Sequence, residues 1–276
     1  MKHELAAKHN VLTAAKSSPT ADFRADLANE EELVSLIKKA GAQVIINAVK
    51  PQMSTDQMEK EKEKALKLNA VLPQRIALLQ KKHKYKIVHI STAWVYEGIE
   101  NDVYTEASST CPKNHYSRTK MLGEEMTRLK GTGNFIIART EGVYGHDEKR
   151  TNLFLRLKDS ERGAKPVFLA KDQFSQPTYG GELARQVSAL LEKGKTGFFN
   201  CVGADYLSRH EFGIKICKEF GIKAKIEPFY AKDRKLRVPM HLLLDTSKIK
   251  AVAGKVCGLD EQFAALKRFE NDNKKS

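Results

Sequence analysis

Apolar residues follow two rhythms along this chain. Residues 42–49, 86–92 and 135–139 are short runs that are nearly continuously apolar, and such runs predict strands covered on both faces, as in the middle of a parallel sheet. Between them the spacing changes to that of amphipathic helices. One is predicted from Asn29 through Ile37, with Glu30, Glu31 and Glu32 in its first turn, and a long one from about 56 to 82. Another should begin at Asn114, a good N-cap with Pro112 just before it. Two more are predicted over 181–191 and from Ser208 through Phe220, the latter with Glu211 completing a capping box. Residues 1–9 read as a helix, 10–15 as a short buried strand and 197–203 as the last strand. This alternation of strand and helix predicts an α/β fold. The chain shows no internal repeat and no low-complexity linker, and the polar run after Phe269 is expected to fray.

A chain of 276 residues can bury a sizeable core, and one α/β domain with a smaller appended lobe is the natural reading of that length. No segment approaches the ~18 consecutive apolar residues of a membrane span, and the charged first residues do not form a signal peptide. A soluble, cytoplasmic protein is therefore expected. Cys111, Cys201, Cys217 and Cys257 are scattered without CxxC spacing, which argues against a disulfide framework and against a zinc site. They read as reduced thiols, mostly buried. Lys and Arg number 48 against 34 Asp and Glu, a balance that attracts anions. No nucleic-acid motif accompanies the charge, and much of it sits in mixed runs such as Glu59-Lys60-Glu61-Lys62-Glu63-Lys64. An acidic small ligand fits it as well as RNA would, so nucleic acid is not expected, although the charge does not exclude loose binding.

The helix opening at Asn114 carries Tyr116 and Lys120, four apart and so on one face. A lysine ammonium beside a phenol favours the phenolate and lowers its pKa from about 10 toward the range of a general acid or base. In a lysine-rich chain such a pair also arises on solvated helix faces. Its surroundings give it weight, because the strand at 86–92 ends in two hydroxyls, Ser91 and Thr92, and leads by a turn into this helix.

Three segments in order, Ser91-Thr92-Ala93-Trp94-Val95-Tyr96-Glu97-Gly98, Tyr116-x-x-x-Lys120 and Ala138-Arg139-Thr140-Glu141-Gly142-Val143-Tyr144-Gly145, resemble the extended short-chain dehydrogenase/reductases. Within them the chain is similar to the dTDP-4-dehydrorhamnose reductase family, which also includes the regulatory beta subunit of methionine adenosyltransferase. The resemblance runs from about the first helix to Lys267. It implies a Rossmann-like doubly wound parallel sheet, N-terminally truncated, with a small C-terminal substrate lobe. Residues 1–145 would form the NAD(P)-binding domain, 146–270 a mixed region with the substrate lobe and the last sheet elements, and 271–276 a disordered tail.

The resemblance also implies roles. Hydride would pass from NADPH or NADH to a nucleotide-sugar keto group while Tyr116 protonates the oxygen, Lys120 tunes Tyr116 and holds the nicotinamide ribose, and Thr92 or Ser91 positions the carbonyl. Asp26 and Leu27, ending a short strand, would lie beside the adenine, though Asp26 reads equally as a helix-start residue. Lys16 would suit the 2′-phosphate of NADP, or it is a surface lysine. Ala48, Val49 and Lys50 would run along the cofactor. On the substrate side stand Trp94, as a stacking platform or a packing residue, with Gly142, Asn152 and Arg237, the last facing a phosphate. Asn69 matches the family's helix asparagine and reads as a packing or water contact.

Several positions depart from the family pattern. Lys50-Pro51-Gln52 replaces Ala-Tyr-Thr, Ala93-Trp94 replaces Asp-Tyr, and Gly142 replaces Trp, all on the substrate side, so a different specificity is expected. No GxGxxG or GxxGxxG occurs, and the first strand and glycine-rich turn on which the family seats the pyrophosphate do not precede the first helix. Either Met1 is an internal start of a longer protein, or the fold is remodelled and dinucleotide binding impaired. Function accordingly divides between a reductase and a non-catalytic binding subunit similar to the methionine adenosyltransferase beta subunit. A protein partner or a homodimer stays open.

Overall fold

The computed structural model describes residues 1–163 and 165–275. The first half runs α1 (Lys2–Ala6), β1 (Ala14–Ala15), β2 (Phe23–Arg24), α2 (Glu30–Ala40), β3 (Val44–Asn47), α3 (Thr55–Lys60), α4 (Lys62–Leu66), a π-turn (Lys67–Val71), α5 (Leu72–His83), β4 (Lys86–Thr92), β5 (Val103–Tyr104), α6 (His115–Lys130) and β6 (Phe135–Thr140). The second runs α7 (Leu153–Gly163), β7 (Val167–Ala170), β8 (Phe174–Ser175), α8 (Gly180–Glu192), β9 (Gly197–Asn200), β10 (Leu207–Ser208), α9 (Arg209–Phe220), β11 (Ile226–Phe229), β12 (Leu243–Leu244), α10 (Ser247–Ala253) and α11 (Leu259–Lys275).

The organising sheet is parallel, in the order β3-β4-β6-β9. Its two central strands are the continuous apolar runs, β6 buried along its whole length and β4 at all but Lys86 and Ile90: Ile87, Val88, Ile136, Ile137 and Ala138 are at most 1% exposed. Helices cover both faces. Leu183, Val187 and Leu190 of α8 pack on one side with Phe199 and Ile249, and Leu33, Ile37, Leu72 and Ile76 of α2 and α5 pack on the other. The helices therefore lie on both faces, as in a doubly wound sheet. No helix among the described residues is long and apolar enough to cross a membrane.

β3 does not take the central place its composition predicts. It is the edge of the four-stranded sheet, and Val44, Ile45 and Ile46 are only half-buried. The strand expected at 10–15 shrinks to Ala14–Ala15 and is not buried. It pairs with β2 in a separate parallel ribbon, and Leu12 before it is 46% exposed. With no described strand between that ribbon and β3, neither gains the second covering neighbour that its apolar residues suit.

The helix expected over 56–82 is interrupted. Glu61 leaves helical geometry between α3 and α4, and a π-turn at Lys67–Val71 precedes α5. Pro73 in the first turn of α5 has no N–H to give to the carbonyl of Asn69, four residues back. That carbonyl lies instead against Gly123 of α6, so close that a Cβ there would stand 2.1 Å from it. The missing hydrogen-bond donor and the missing side chain together let α5 and α6 approach.

The second lobe is built of short pairs, β11 with β7 and β12 with β5 in parallel and β10 with β8 antiparallel. Its own core gathers Tyr144, Phe154, Leu157, Phe212, Ile216 and Phe263. Two expectations fail here. β9 ends at Asn200 and is followed by three further strands, so it is last only in the main sheet. The tail predicted as disordered from 271 is helical to Lys275 because it continues α11, whose Leu259, Phe263 and Leu266 are buried and whose Phe269 ring meets those of His3 and His146; Ser276 lies outside the described residues. The cysteines are free, but only Cys201 is fully buried; Cys111 lies in an exposed loop before α6.

Candidate functional site

The start of α6 is fixed from three sides. Ser117 N–H donates to the Asn114 Oδ1 at 3.0 Å, Asn114 N–H donates to the Ser117 hydroxyl at 3.2 Å, and the Asn114 side-chain amide donates to the Arg237 carbonyl at 2.9 Å. This reciprocal cap sets where the helix begins and ties it to the second lobe. Tyr116, Lys120 and Glu124 then follow at four-residue steps on the face turned to β4 and β6.

Lys120 is buried and donates to the carbonyl of Ile90 at 2.6 Å. Burial pushes its ammonium down to about 8, against the pull of Glu124. The Tyr116 phenol lies beside the Thr92 side chain. Burial pushes that phenol up to about 12; the neighbouring Thr92 hydroxyl works against the rise and the charge of Glu141 adds to it. The expected lowering of the tyrosine by the lysine therefore does not occur. The ammonium is directed to a backbone carbonyl, desolvation dominates, and the phenol keeps its proton across the neutral range.

Of the two candidate hydroxyls, the structure brings Thr92 to Tyr116. Ser91 faces the opposite side of β4, as alternation requires, and its hydroxyl is buried without a partner among the described residues. Thr92 Oγ1 also accepts from Trp94 N–H at 3.2 Å, and the Trp94 ring meets Tyr116 edge-on, 5.8 Å between centroids.

Further buried polar groups surround Lys120. Val49 N–H donates to the Asn47 Oδ1, so the Asn47 amide nitrogen must be the donor to His89 Nδ1, and the His89 proton sits on Nε2. Burial and the nearby ammonium hold His89 well below the usual histidine range. Its Nε2 and the Oδ1 of Asn69 have no partner among the described residues, while the Asn69 amide donates to Thr119 at 3.0 Å. These are ordinary places for bound water. Glu141, directly after β6, is 6% exposed, has the Trp94 side chain and Gly142 N–H beside it, and is pushed up by burial. Sequence reasoning did not single it out. The available signal was a carboxylate closely following a strand that is apolar from Phe135 to Ala138.

The other expected site residues divide into groups. Ala48, Val49 and Lys50 follow β3 on the same edge of the sheet as Thr92 and Thr140, since Asn47 pairs with His89 and Thr92 with Thr140. Ala48 and Lys50 are exposed there, and Lys50 lies near Asp147. Lys16 and Asp26 form an ion pair at 2.6 Å on the β1–β2 ribbon, and Asp26 also accepts from Ala28 N–H. Leu27 packs beside the core of α2 and α5. Gly142 and Asn152 come together in one cavity, whereas the Arg237 side chain is exposed and lies outside that cavity's lining.

The carboxyl edge of a doubly wound sheet is where such folds bind ligands. Thr92, Tyr116, Lys120 and the 48–50 backbone fit the nicotinamide end of a dinucleotide on that edge. Gly131 and Gly133 cannot seat its pyrophosphate, because they precede β6 at the opposite edge.

A Rossmann-like sheet with a Tyr-x-x-x-Lys helix at its carboxyl edge defines a short-chain dehydrogenase/reductase fold. The RmlD substrate binding domain model matches residues 1–270, and the chain belongs to that family. It is 33% identical over 174 residues to the spore coat polysaccharide biosynthesis protein SpsK of Bacillus subtilis, covering 63% of this chain and 60% of that protein. A hypothetical dTDP-4-dehydrorhamnose reductase from Sulfolobus tokodaii superposes with a TM-score of 0.78 at 30% identity, over 91% of this chain and 89% of that one. The dTDP-4-dehydrorhamnose reductase of Bacillus anthracis, solved with NADP, shares the fold at a TM-score of 0.80 and 20% identity, over 98% and 94% of the two chains.

Proposed function

We propose that the chain is a nicotinamide-dependent reductase of a keto group on a nucleotide sugar, similar in reaction to dTDP-4-dehydrorhamnose reductase. The observation that carries this reading is the Tyr116 phenol set beside Thr92 and next to a buried Lys120, on the ligand-binding edge of the sheet. Bound NADPH or NADH supplies the hydride. Thr92 Oγ1 and the Tyr116 phenol converge on one point, where a carbonyl oxygen accepts both hydrogen bonds and is oriented. Tyr116, held as a neutral phenol, gives its proton to that oxygen as it gains charge, which makes the site suited to reduction. Lys120 places a cation close behind and stabilises the phenolate that remains. Ala48, Val49 and Lys50 offer backbone and charge along the cofactor, with Lys16 able to meet a 2′-phosphate if its pair with Asp26 opens.

Family membership and the likeness to reductases support this reading, and the NADP held by the Bacillus anthracis protein supports the cofactor class. Titration with NADPH, followed by nicotinamide fluorescence, and then consumption of NADPH with a dTDP-4-keto-6-deoxy sugar, tests it. Saturable binding with turnover is expected. No binding at millimolar cofactor would overturn the reading for this chain and leave a binding subunit without catalysis.

A further inference from the structure

Loops leave the carboxyl ends of β1, β3 and β6, and side chains of the first and third are joined. Ser18 Oγ donates to Glu148 Oε2 at 2.8 Å and Thr20 Oγ1 donates to Glu148 Oε1 at 2.5 Å, so one carboxylate is held by both its oxygens. These bonds connect residues 130 and 128 positions apart. The hydroxyl pair is organised locally as well, because Thr20 N–H donates to Ser18 Oγ at 3.3 Å and the two hydroxyl oxygens are 3.1 Å apart. The bonds from Thr20 and Ser18 hold the Glu148 carboxyl below the usual carboxylate range, with the charges of His146 and Lys149 adding to the effect. Glu148 is therefore an anion at neutral pH, and both hydroxyl protons are committed to it.

The segment that carries Glu148 is braced on the second lobe. Asp147 accepts from Lys149 N–H at 3.0 Å, from Thr151 N–H at 3.2 Å and from the Thr151 hydroxyl at 3.1 Å. The His146 ring meets Phe269 of α11, and Arg150 Nε donates to both carboxylate oxygens of Asp159 of α7 at 3.0 Å. Arg150 itself takes the left-handed conformation, φ 53°, which a residue with a side chain keeps only where its surroundings hold it. Residues 146–151 thus form a fixed arm with Glu148 at its tip. Lys50, just past β3, stands close enough for its charge to act on Asp147. The arm thereby reaches the loops that follow both β3 and β1, along the edge on which a dinucleotide would lie.

We propose that Glu148 is a latch that selects the cofactor: it closes the arm over the carboxyl edge by occupying Ser18 and Thr20, and a ligand loads by giving those hydroxyls an oxyanion of its own, which the 2′-phosphate of NADPH supplies and NADH lacks. This rests on the reading of the chain as a nicotinamide-dependent reductase and deepens it. Carboxylate and phosphate compete for the same two donors and repel one another, so they do not share the place. Lys16, two residues before Ser18, adds a cation to that loop. NADH must open the latch and leaves the hydroxyls without a replacement anion. Glu148 thus sets the preference between the cofactors from the opposite side of the cleft.

The test uses the full chain. NADPH and NADH are titrated separately and followed by nicotinamide fluorescence, and trypsin gives a second readout, because Lys149 and Arg150 are exposed on the arm. A latch closed about nine-tenths of the time weakens apparent affinity about tenfold. Glu148→Ala should therefore bind both cofactors roughly three- to tenfold more tightly than the parent. Ser18→Ala combined with Thr20→Val opens the same latch from the other side; it should tighten NADH alike, while NADPH, deprived of its donors, gains nothing. Without cofactor, cleavage after Lys149, located by mass spectrometry, should be faster in both variants than in the parent. Equal cofactor affinities in the parent and Glu148→Ala overturn the proposal and leave the reductase reading standing, as does a hydroxyl variant that tightens NADPH as much as NADH. If no form binds either cofactor the reductase reading falls, and trypsin alone judges the latch: faster cleavage in the variants keeps it as a closure of the edge, and equal cleavage overturns it.

Discussion

Glu124 of α6 holds Arg139 of β6 through both carboxylate oxygens, 3.1 Å from Nε and 2.7 Å from Nη2, with 1% and 5% of the two side chains exposed. The guanidinium also donates to the Tyr96 hydroxyl at 2.7 Å and lies 4.9 Å from the centroids of both Tyr96 and Phe198. Glu124 stands one helical turn beyond Lys120, so this pair fixes how far the Tyr116 face of α6 sits from the sheet. Buried pairs of this kind are costly to desolvate, and they are far more costly to break from one side.

Glu124→Ala leaves Arg139 charged, buried and unpaired. Such a change is expected to cost about 3–5 kcal/mol, measured as the shift in urea midpoint at constant m-value. Removing both partners, as Glu124→Leu with Arg139→Met, should recover much of that loss. A double variant no more stable than the single one would show that the pair does not act as a unit.

Tyr116→Phe removes the proton donor and keeps the ring that meets Trp94. Turnover should fall by roughly 10²–10⁴, the usual scale of a lost general acid, with cofactor affinity little changed. An equal loss of binding and turnover would assign Tyr116 to cofactor seating alone.

Lys120 gives two pH effects. Its folded pKa of about 8 lies below the ordinary 10.5, so between those values the unfolded chain binds the extra proton. This group's penalty is complete below about 8 and is relieved as pH rises toward 10.5. Comparing urea stability of the parent and Lys120→Met at both ends of that window should show the parent gaining relative to the variant. Activity should move the opposite way, declining above about 8 as the ammonium is lost, and Lys120→Arg should push that decline to higher pH. A decline left in place by the arginine variant would assign the titration elsewhere.

Gly123→Ala would put a Cβ 2.1 Å from the Asn69 carbonyl. Backbone must move, so a loss of about 1–3 kcal/mol is expected by the scale of overpacked cores. Turnover should fall with it, because α6 carries Tyr116 and Lys120 on the displaced element. A thermal shift assay read alongside kcat checks both.

Much of this was legible beforehand for local reasons. The cap at Asn114, the hydroxyl-ending strand at 86–92 and the capping box at Ser208 are set by neighbours in sequence, and each stands where its pattern put it. The Tyr116–Lys120 face was legible in placement but not in energetics. Spacing cannot tell that Ile90 supplies a carbonyl to the ammonium, or that burial outweighs charge at the phenol. β3 misled because an apolar strand looks the same whether or not a second neighbour is present. Gly142 and Asn152 were named from sequence and meet in one cavity, but the place of Arg209 beside them was out of reach because α7 and α9 are joined only through tertiary contact.

The open side of β3 has a practical consequence for handling the protein. A row of main-chain donors and acceptors on an Ile-Ile strand is a template for a second molecule, and natural edges are commonly guarded by lysine. Lys38 and Lys39 precede this one and Lys50 follows it. Concentrated salt would mute that repulsion, so turbidity on storage should rise with ionic strength and fall in dilute buffer.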